Sequence, residues 1–298
     1  MEKDTLKQTI ETDIEENTDS TADYMDKINQ SFFLMLKNPT DKEIEKHRKI
    51  RDALIALWLA SLFKDFEEQL YNSAQKGIDE ADKQLKAKNI TEVKEKSITV
   101  KTFEDQVKSR LESFKSNFAF ISEFIKANSE RAVKNIKNNI LATSKKEQKV
   151  ISTEIASSMG KIGCTYFIDS AGRKIDIKNY TEVKTLWDKI QAMRMTFFTR
   201  AIQYGVDLAK IIHLNIHPHC ELCIPFENKV LSLTGKTEGY MTVWEAEQYG
   251  LFHPFCDHIP DDIELAPEDV KDNEKEISLN EANKKRYEYN KKRGFSSY

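Results

Sequence analysis

Side chains that bind soft or borderline metal ions crowd into one stretch of this sequence. His217, His219, Cys220, Cys223, His253, Cys256 and His258 all lie within residues 216–260, and His213 stands just ahead of them. The whole chain holds only four cysteines and six histidines, so the clustering is a concentration and not a background. A solvated helix or an ordinary core has no reason to collect thiols and imidazoles together. A metal ion does, because thiolate sulfur and imidazole nitrogen are donors that zinc and its neighbours prefer.

The spacing narrows the chemistry. Cys220-Glu221-Leu222-Cys223 is a C-x-x-C knuckle, whose tight turn can aim both sulfurs at one ion. His253-Pro254-Phe255-Cys256-Asp257-His258 offers a second pair, as H-x-x-C or as C-x-H. Two such pairs joined by a loop make a tetrahedral zinc site. The 29 intervening residues, 224–252, exceed the span of a DNA-binding finger, so the spacing predicts a staple between distant segments. The competing readings are a redox-active C-x-x-C and thiols buried for packing alone; the accompanying histidines favour zinc. The expected ligands are four of the five residues Cys220, Cys223, Cys256, His253 and His258. Four protein ligands would close the site, making it a structural Zn2+ and not a catalytic one that keeps a position for water. His217 and His219 are expected to pack or hydrogen-bond around it.

A short set of elements must position these ligands. Residues 209–216 read as a strand that delivers the chain to Cys220, and 228–233 as another, with a turn over 235–239. Thr242-Val243-Trp244-Glu245 is a capping box that opens a short helix; Gly250 closes it and hands the chain to His253. Upstream, 164–168 and 173–177 alternate as a hairpin around Asp169–Gly172, with Cys164 a packed thiol. A helix is expected over 181–204, ended by Gly205.

Ahead of Gly160 the texture is helical. Residues 1–24 carry eight acids and two lysines, an acidic mobile arm. A helix is expected over 24–36, with Ile28, Phe32, Met35 and Leu36 on one face, ended by Asn38-Pro39. Thr40-Asp41-Lys42-Glu43 is a capping box for a long helix reaching residue 88, in which Ile50, Leu54, Leu57, Trp58, Leu62, Phe66 and Leu70 recur at helical intervals. Its apolar face widens over 54–63, which points to burial on more than one side, in the chain's own core or against a partner. A second long helix, 103–140, carries the stripe Phe103, Val107, Leu111, Phe114, Phe118, Ile121 and Ile125. Its continuation is basic, with Arg131, Lys134, Lys137, Lys145, Lys146 and Lys149 against Glu130 and Glu147. Those cations could meet DNA phosphates or form a solvated face. After Pro260 an acidic run precedes Lys284-Lys285-Arg286 and Lys291-Lys292-Arg293, a charged tail of opposed blocks.

Composition bounds the rest. A net charge of −3 over 298 residues offers no global attraction to nucleic acid, and nine glycines with six prolines favour helix over turns. The N-terminus has no apolar core of the secretory type. The longest apolar run, 53–63, falls far short of the roughly 20 residues a bilayer needs, so no membrane partner is expected. Cysteines gathered as ligands fit a reducing compartment. No G-x-S-x-G, H-E-x-x-H or P-loop is present. The fold class is α+β, mainly α: long N-terminal helices followed by a small zinc-stapled α+β C-terminal module. The expected divisions are the arm 1–24, a helical domain 25–158, the module 159–260 and the tail 261–298.

The segments His217–Gly235 and Tyr240–Pro260 resemble the C-terminal part of the phage minor capsid protein 2 family, akin to the phage Mu F-like head-morphogenesis proteins. Pro225-Phe226-Glu227, Lys229-Val230, Ser232-Leu233-Thr234-Gly235, Glu245-Ala246 and Gly250-Leu251-Phe252-His253-Pro254 stand in register with that pattern. Asn228, Phe255 and Asp257 depart from it, the last replacing an arginine, and the metal-type residues stay intact. Gly172-Arg173, Tyr180-Thr181-Glu182 and Gly205-Val206-Asp207-Leu208 extend the likeness upstream, with Met193-Arg194-Met195-Thr196 a displaced form of the family's Arg-Thr pair. Related head proteins often end in C-R-C, which puts a ligand at the position of His258. The resemblance implies a structural minor protein of the phage head, located in the virion in several copies, meeting the portal or major capsid protein, and acting in head assembly and DNA packaging or ejection. Two other readings are kept: a zinc nuclease with Glu221 or Asp257 as base, and a cytosolic zinc-stapled adaptor or toxin-associated domain.

Overall fold

The computed structural model describes residues 3–37, 40–141, 165–169, 171–216, 220–253, 256–264 and 277–292. Cys164, His217, His219, Lys145, Lys146 and Lys149 lie outside the described residues. Helices dominate. They are α1 (Lys3–Lys37), α2 (Asp41–Ala87), α3 (Val100–Leu141), α4 (Ile177–Gln203), α5 (Val243–Tyr249) and α6 (Glu281–Lys292). Among the described residues, five short strands accompany them: β1 (Tyr166–Ile168), β2 (Lys174–Asp176), β3 (Leu208–His213), β4 (Val230–Ser232) and β5 (His258–Glu264).

The chain forms two units. One comprises residues 13–67 and 112–185; the other comprises 1–12, 68–111 and 186–298.

The first unit is built on aromatic side chains at helical spacing. Trp58, Phe66, Phe114 and Phe118 are buried. Phe66 stacks on Phe114 with centroids 3.6 Å apart, and Trp58 meets Phe118 edge-on at 5.9 Å. The Trp58 indole N–H donates to Thr21 Oγ1 at 3.2 Å, which satisfies its one polar atom. The buried line of α2 runs through Ile55, Trp58, Leu62 and Phe66, whereas Leu57 is 57% exposed and Ile50 39%. The apolar face is as wide as its sequence suggests, but among the described residues only one side of it is covered. Arg48 and Arg51 of α2 close on Glu130 of α3, at 2.7 and 2.9 Å, and hold the Glu130 carboxyl down to about 2, chiefly through the Arg48 hydrogen bond. The antiparallel hairpin β1–β2 packs Phe167 against Tyr180 at the start of α4.

Helix α1 begins well before the Tyr24 start expected from the apolar stepping: it takes in the acidic residues from Lys3 onward. Likewise α4 begins at Ile177, directly after β2, where Asp176 Oδ1 accepts from the Asn179 amide at 3.0 Å.

The second unit carries a three-stranded antiparallel sheet in the order β4-β3-β5. Its β3 is central. Strand β5 was not expected, because Pro260, Asp261 and Asp262 are poor strand formers. Proline is tolerated here because β5 is an edge strand and the register shifts between Lys210 and Ile211, the latter opposite Pro260. Ile263 N donates to Gln84 Oε1 of α2 at 3.0 Å, tying this edge to a helix. Helix α4 ends in a left-handed Gly205 (φ 79), with Val206 N bonded to Ala201 O and Gly205 N to Ile202 O. The chain enters β3 from there. Within the region expected to be tail, α6 packs on α5 by stacking Tyr287 on Tyr249 at 4.5 Å.

Candidate metal centre

Each ligand-bearing segment is fixed by local chemistry. The knuckle closes because Cys220 O accepts from both Cys223 N, at 2.9 Å, and Ile224 N, at 3.0 Å. A 3-10 turn over Ile224–Phe226, with Pro225 near its start, continues it. Helix α5 shows the full capping box: Thr242 Oγ1 accepts from Glu245 N at 3.0 Å, and the Glu245 carboxylate accepts from Thr242 N at 2.9 Å. The helix ends at Gly250 with φ 115, and Phe252 follows with φ 58, a region disfavoured for a bulky side chain. Its ring lies 4.0 Å from the Arg194 guanidinium. This bend turns the chain toward His253, Cys256 and His258.

The five expected ligands fall into two groups of three. Cys220, Cys223 and His253 form one group with all donor atoms within 4.8 Å of one another, and Cys223, Cys256 and His258 form a second on the same criterion. Cys223 belongs to both. Cys223, Cys256 and His258 are buried, while Cys220 is partly exposed. The Cys223 and Cys256 sulfurs lie 3.7 Å apart, and Cys256 Sγ lies 3.4 Å from His258 Nδ1. Donors on a zinc tetrahedron, with bonds of about 2.3 Å to sulfur and about 2.0–2.1 Å to imidazole, stand roughly 3.5–3.8 Å apart. The two observed separations match those edges, and a disulfide is far from formed. This donor set could hold a metal ion.

Of Cys223, Cys256 and His258, Cys256 is held in the form that ligates a metal, whereas Cys223 and His258 would have to release a proton to do so. Burial alone would raise the Cys256 thiol, but the hydrogen bond from Cys223, together with His258 and Arg194, holds it well below its ordinary value. The neighbouring Cys256 sulfur pushes the Cys223 thiol up in turn. Burial lowers His258, yet Cys256 and Glu227 outweigh it and the ring is raised.

Several residues outside the five orient them. Glu227 Oε1 lies 3.2 Å from His258 Nε2, which leaves Nδ1 facing the sulfurs. A carboxylate on the far nitrogen is how ligating histidines are commonly aimed. His213, paired with His258 across β3 and β5, holds Asp257 at 2.8 Å with both side chains buried. Asp257 Oδ2 also accepts from Ile216 N at 2.6 Å. Arg194 of α4 donates from Nη1 to His258 O at 2.9 Å, and the same nitrogen lies 3.9 Å from Cys256 Sγ. Two residues on, Thr196 Oγ1 donates to Ala74 O of α2 at 2.7 Å. Arg194 and Thr196 are thus both held by backbone oxygens of other elements. Asp207 joins two quoted motifs: it accepts from Ser232 Oγ and Thr234 N, each at 2.8 Å, and from Thr237 N at 2.9 Å. Glu227, Asp207 and Asp257 were visible as motif residues, but their partners are dozens of residues away and no local spacing reveals them.

A family model described as phage minor capsid protein 2 matches residues 36–293. The chain belongs to the phage minor capsid protein 2 family. Family membership makes it a structural component of a phage head in the general sense and points to a non-enzymatic role. No curated protein and no solved structure matches the chain. The match spans both units, so the family pattern extends well beyond the metal-type cluster of this minor capsid protein. No described helix is long and apolar enough to cross a membrane.

Proposed function

We propose that this minor capsid protein sits with the portal vertex or on the capsid interior in several copies, and acts in head assembly and in DNA packaging or ejection. The family match over residues 36–293 carries this reading. Exposed apolar side chains support it: Leu57 is 57% and Phe120 58% exposed, with Leu34 and Ile50 also uncovered. Such side chains suit a chain that is completed by neighbours in a particle. The exposed cations Arg131 and Lys134 of α3 extend the proposal to packaged DNA, through phosphate contact.

The metal part of the proposal is one structural Zn2+ on Cys220, Cys223, Cys256 and His258, with His253 the competing fourth ligand. The choice of His258 rests on Glu227, which occupies its Nε2 and leaves Nδ1 for the ion. The bound ion would supply a crosslink between the knuckle and the segment ahead of β5. The chain's own residues do the rest: Glu227 and Arg194 orient the donors, and Phe226, Leu251 and Phe252 wall them from water. Mass spectrometry of purified particles, with pull-down of the tagged chain, tests the location. The chain should be found in heads at several copies and should co-elute with a portal or capsid oligomer. Its absence from particles contradicts the proposal.

A further inference from the structure

A cavity of about 290 Å³ opens beside the metal-type cluster within the second unit, lined by Gln106, Arg194, Phe198, Trp244, Glu247 and Phe252 among others. Its polar groups are unusual. Arg194 is 1% exposed, and while Nη1 is committed to His258 O, its Nε and Nη2 atoms have no hydrogen-bond partner among the described residues. These two nitrogens are the edge of the guanidinium that meets a carboxylate with two parallel hydrogen bonds. A buried charged group left with open donors is costly unless something completes it. Gln106 offers a second open atom: its Nε2 donates to Thr199 Oγ1 at 2.9 Å, and its buried Oε1 has no partner among the described residues. Phe198, Trp244 and Phe252 supply aromatic walls, with Met195, Leu233 and Val243 beside them.

We propose that this cavity is a binding site for a small monocarboxylate with an apolar or aromatic body, its carboxylate on the Nε–Nη2 edge of Arg194 and its body against Phe198 and Trp244. The source of the carboxylate is either a free acid or the C-terminal residue of a peptide chain. A singly charged anion suits the cavity better than a phosphate dianion because Glu247 shares the lining. Burial lifts the Glu247 carboxyl to about 7 against the attraction of Arg194 and Arg110, the charged groups that face it, so just below that pH this wall is a neutral donor. The volume lies at the lower end for ligand pockets, which limits the body to about one ring.

The test is ligand-observed NMR with the reduced 298-residue chain at pH 6. The probes are 3-phenylpropionate for the free acid, N-acetyl-phenylalanine for a chain terminus, the amide of the latter, and inorganic phosphate. At least one acid should bind saturably in the millimolar range or tighter, and the amide should bind about tenfold more weakly or not at all. The stronger of the two acids identifies the source. Arg194→Lys keeps the charge but loses the fork, and should weaken binding about tenfold. Should that variant misfold, Trp244→Ala, which leaves the metal-type residues untouched, should also weaken the acid. Binding of neither acid, equal binding of the amide, preference for phosphate, or an unchanged affinity in Trp244→Ala would overturn the proposal.

Discussion

A single carboxylate decides which way the histidine of the cluster faces. Glu227 holds His258 Nε2 at 3.2 Å, and Nδ1 is thereby aimed at Cys256. Glu227→Gln keeps the size and loses the charge, so metal affinity should fall about 10–100-fold with the fold retained. Competition with a chromogenic chelator measures this, and an unchanged affinity would show that His258 is not the ligand. Glu247 makes a prediction of the opposite kind. Burial raises its folded-state value from 4.5 to about 7. Between those two pH values the folded chain keeps a proton that the unfolded chain has lost. Stability from this group is therefore full below 4.5, declines as pH rises toward 7, and stays reduced above it. The loss is about 3 kcal/mol at most. Glu247→Gln should accordingly raise the melting temperature at pH 8 and leave it nearly unchanged at pH 4. Equal shifts at both pH values would remove burial as the cause.

At the scale of elements, close approach of helices makes the sharpest claim. A Cβ built on Gly77 of α2 would collide with the Met193 carbonyl and with Thr196 Oγ1 of α4. In a free helix interior, alanine is better than glycine by about 1 kcal/mol. Here the sign should reverse, and Gly77→Ala should destabilise by about 1–3 kcal/mol, read as a lower thermal midpoint by circular dichroism. A gain in stability would show that the helices do not meet there. The elements themselves were legible where a local rule governs them. The stripe on α3 is buried as spaced, from Phe103 to Ile125, and the Thr242 cap forms as its sequence implies. On α2 the seam passes through Ile55 and not Leu54, because several apolar residues in a row offer more than one possible stripe. Strand β5 and helix α6 were illegible because neither has an apolar pattern of its own: one is held by pairing with β3, the other by Tyr249. Tertiary pairing overrides propensity in both.

Over the whole molecule, the candidate site was legible as a set of residue types and spacings, and the structure brings Cys220, Cys223, His253, Cys256 and His258 into two groups sharing Cys223. What spacing could not reveal is the support around them, because Arg194 and His213 arrive from other segments and Glu227 acts on a histidine of the other ligand segment. The second unit gathers its sheet, α5 and α6 around this cluster. Metal binding in such a module is folding free energy, of order 10 kcal/mol for zinc-finger-like sites. Native mass spectrometry of the reduced 298-residue chain counts the bound zinc. One zinc per chain is expected, lost in Cys223→Ser together with order over 220–253 and 256–264, while residues 13–37, 41–67 and 112–141 stay helical. A folded chain that carries no zinc, or that keeps its structure unchanged under a strong chelator, would contradict it.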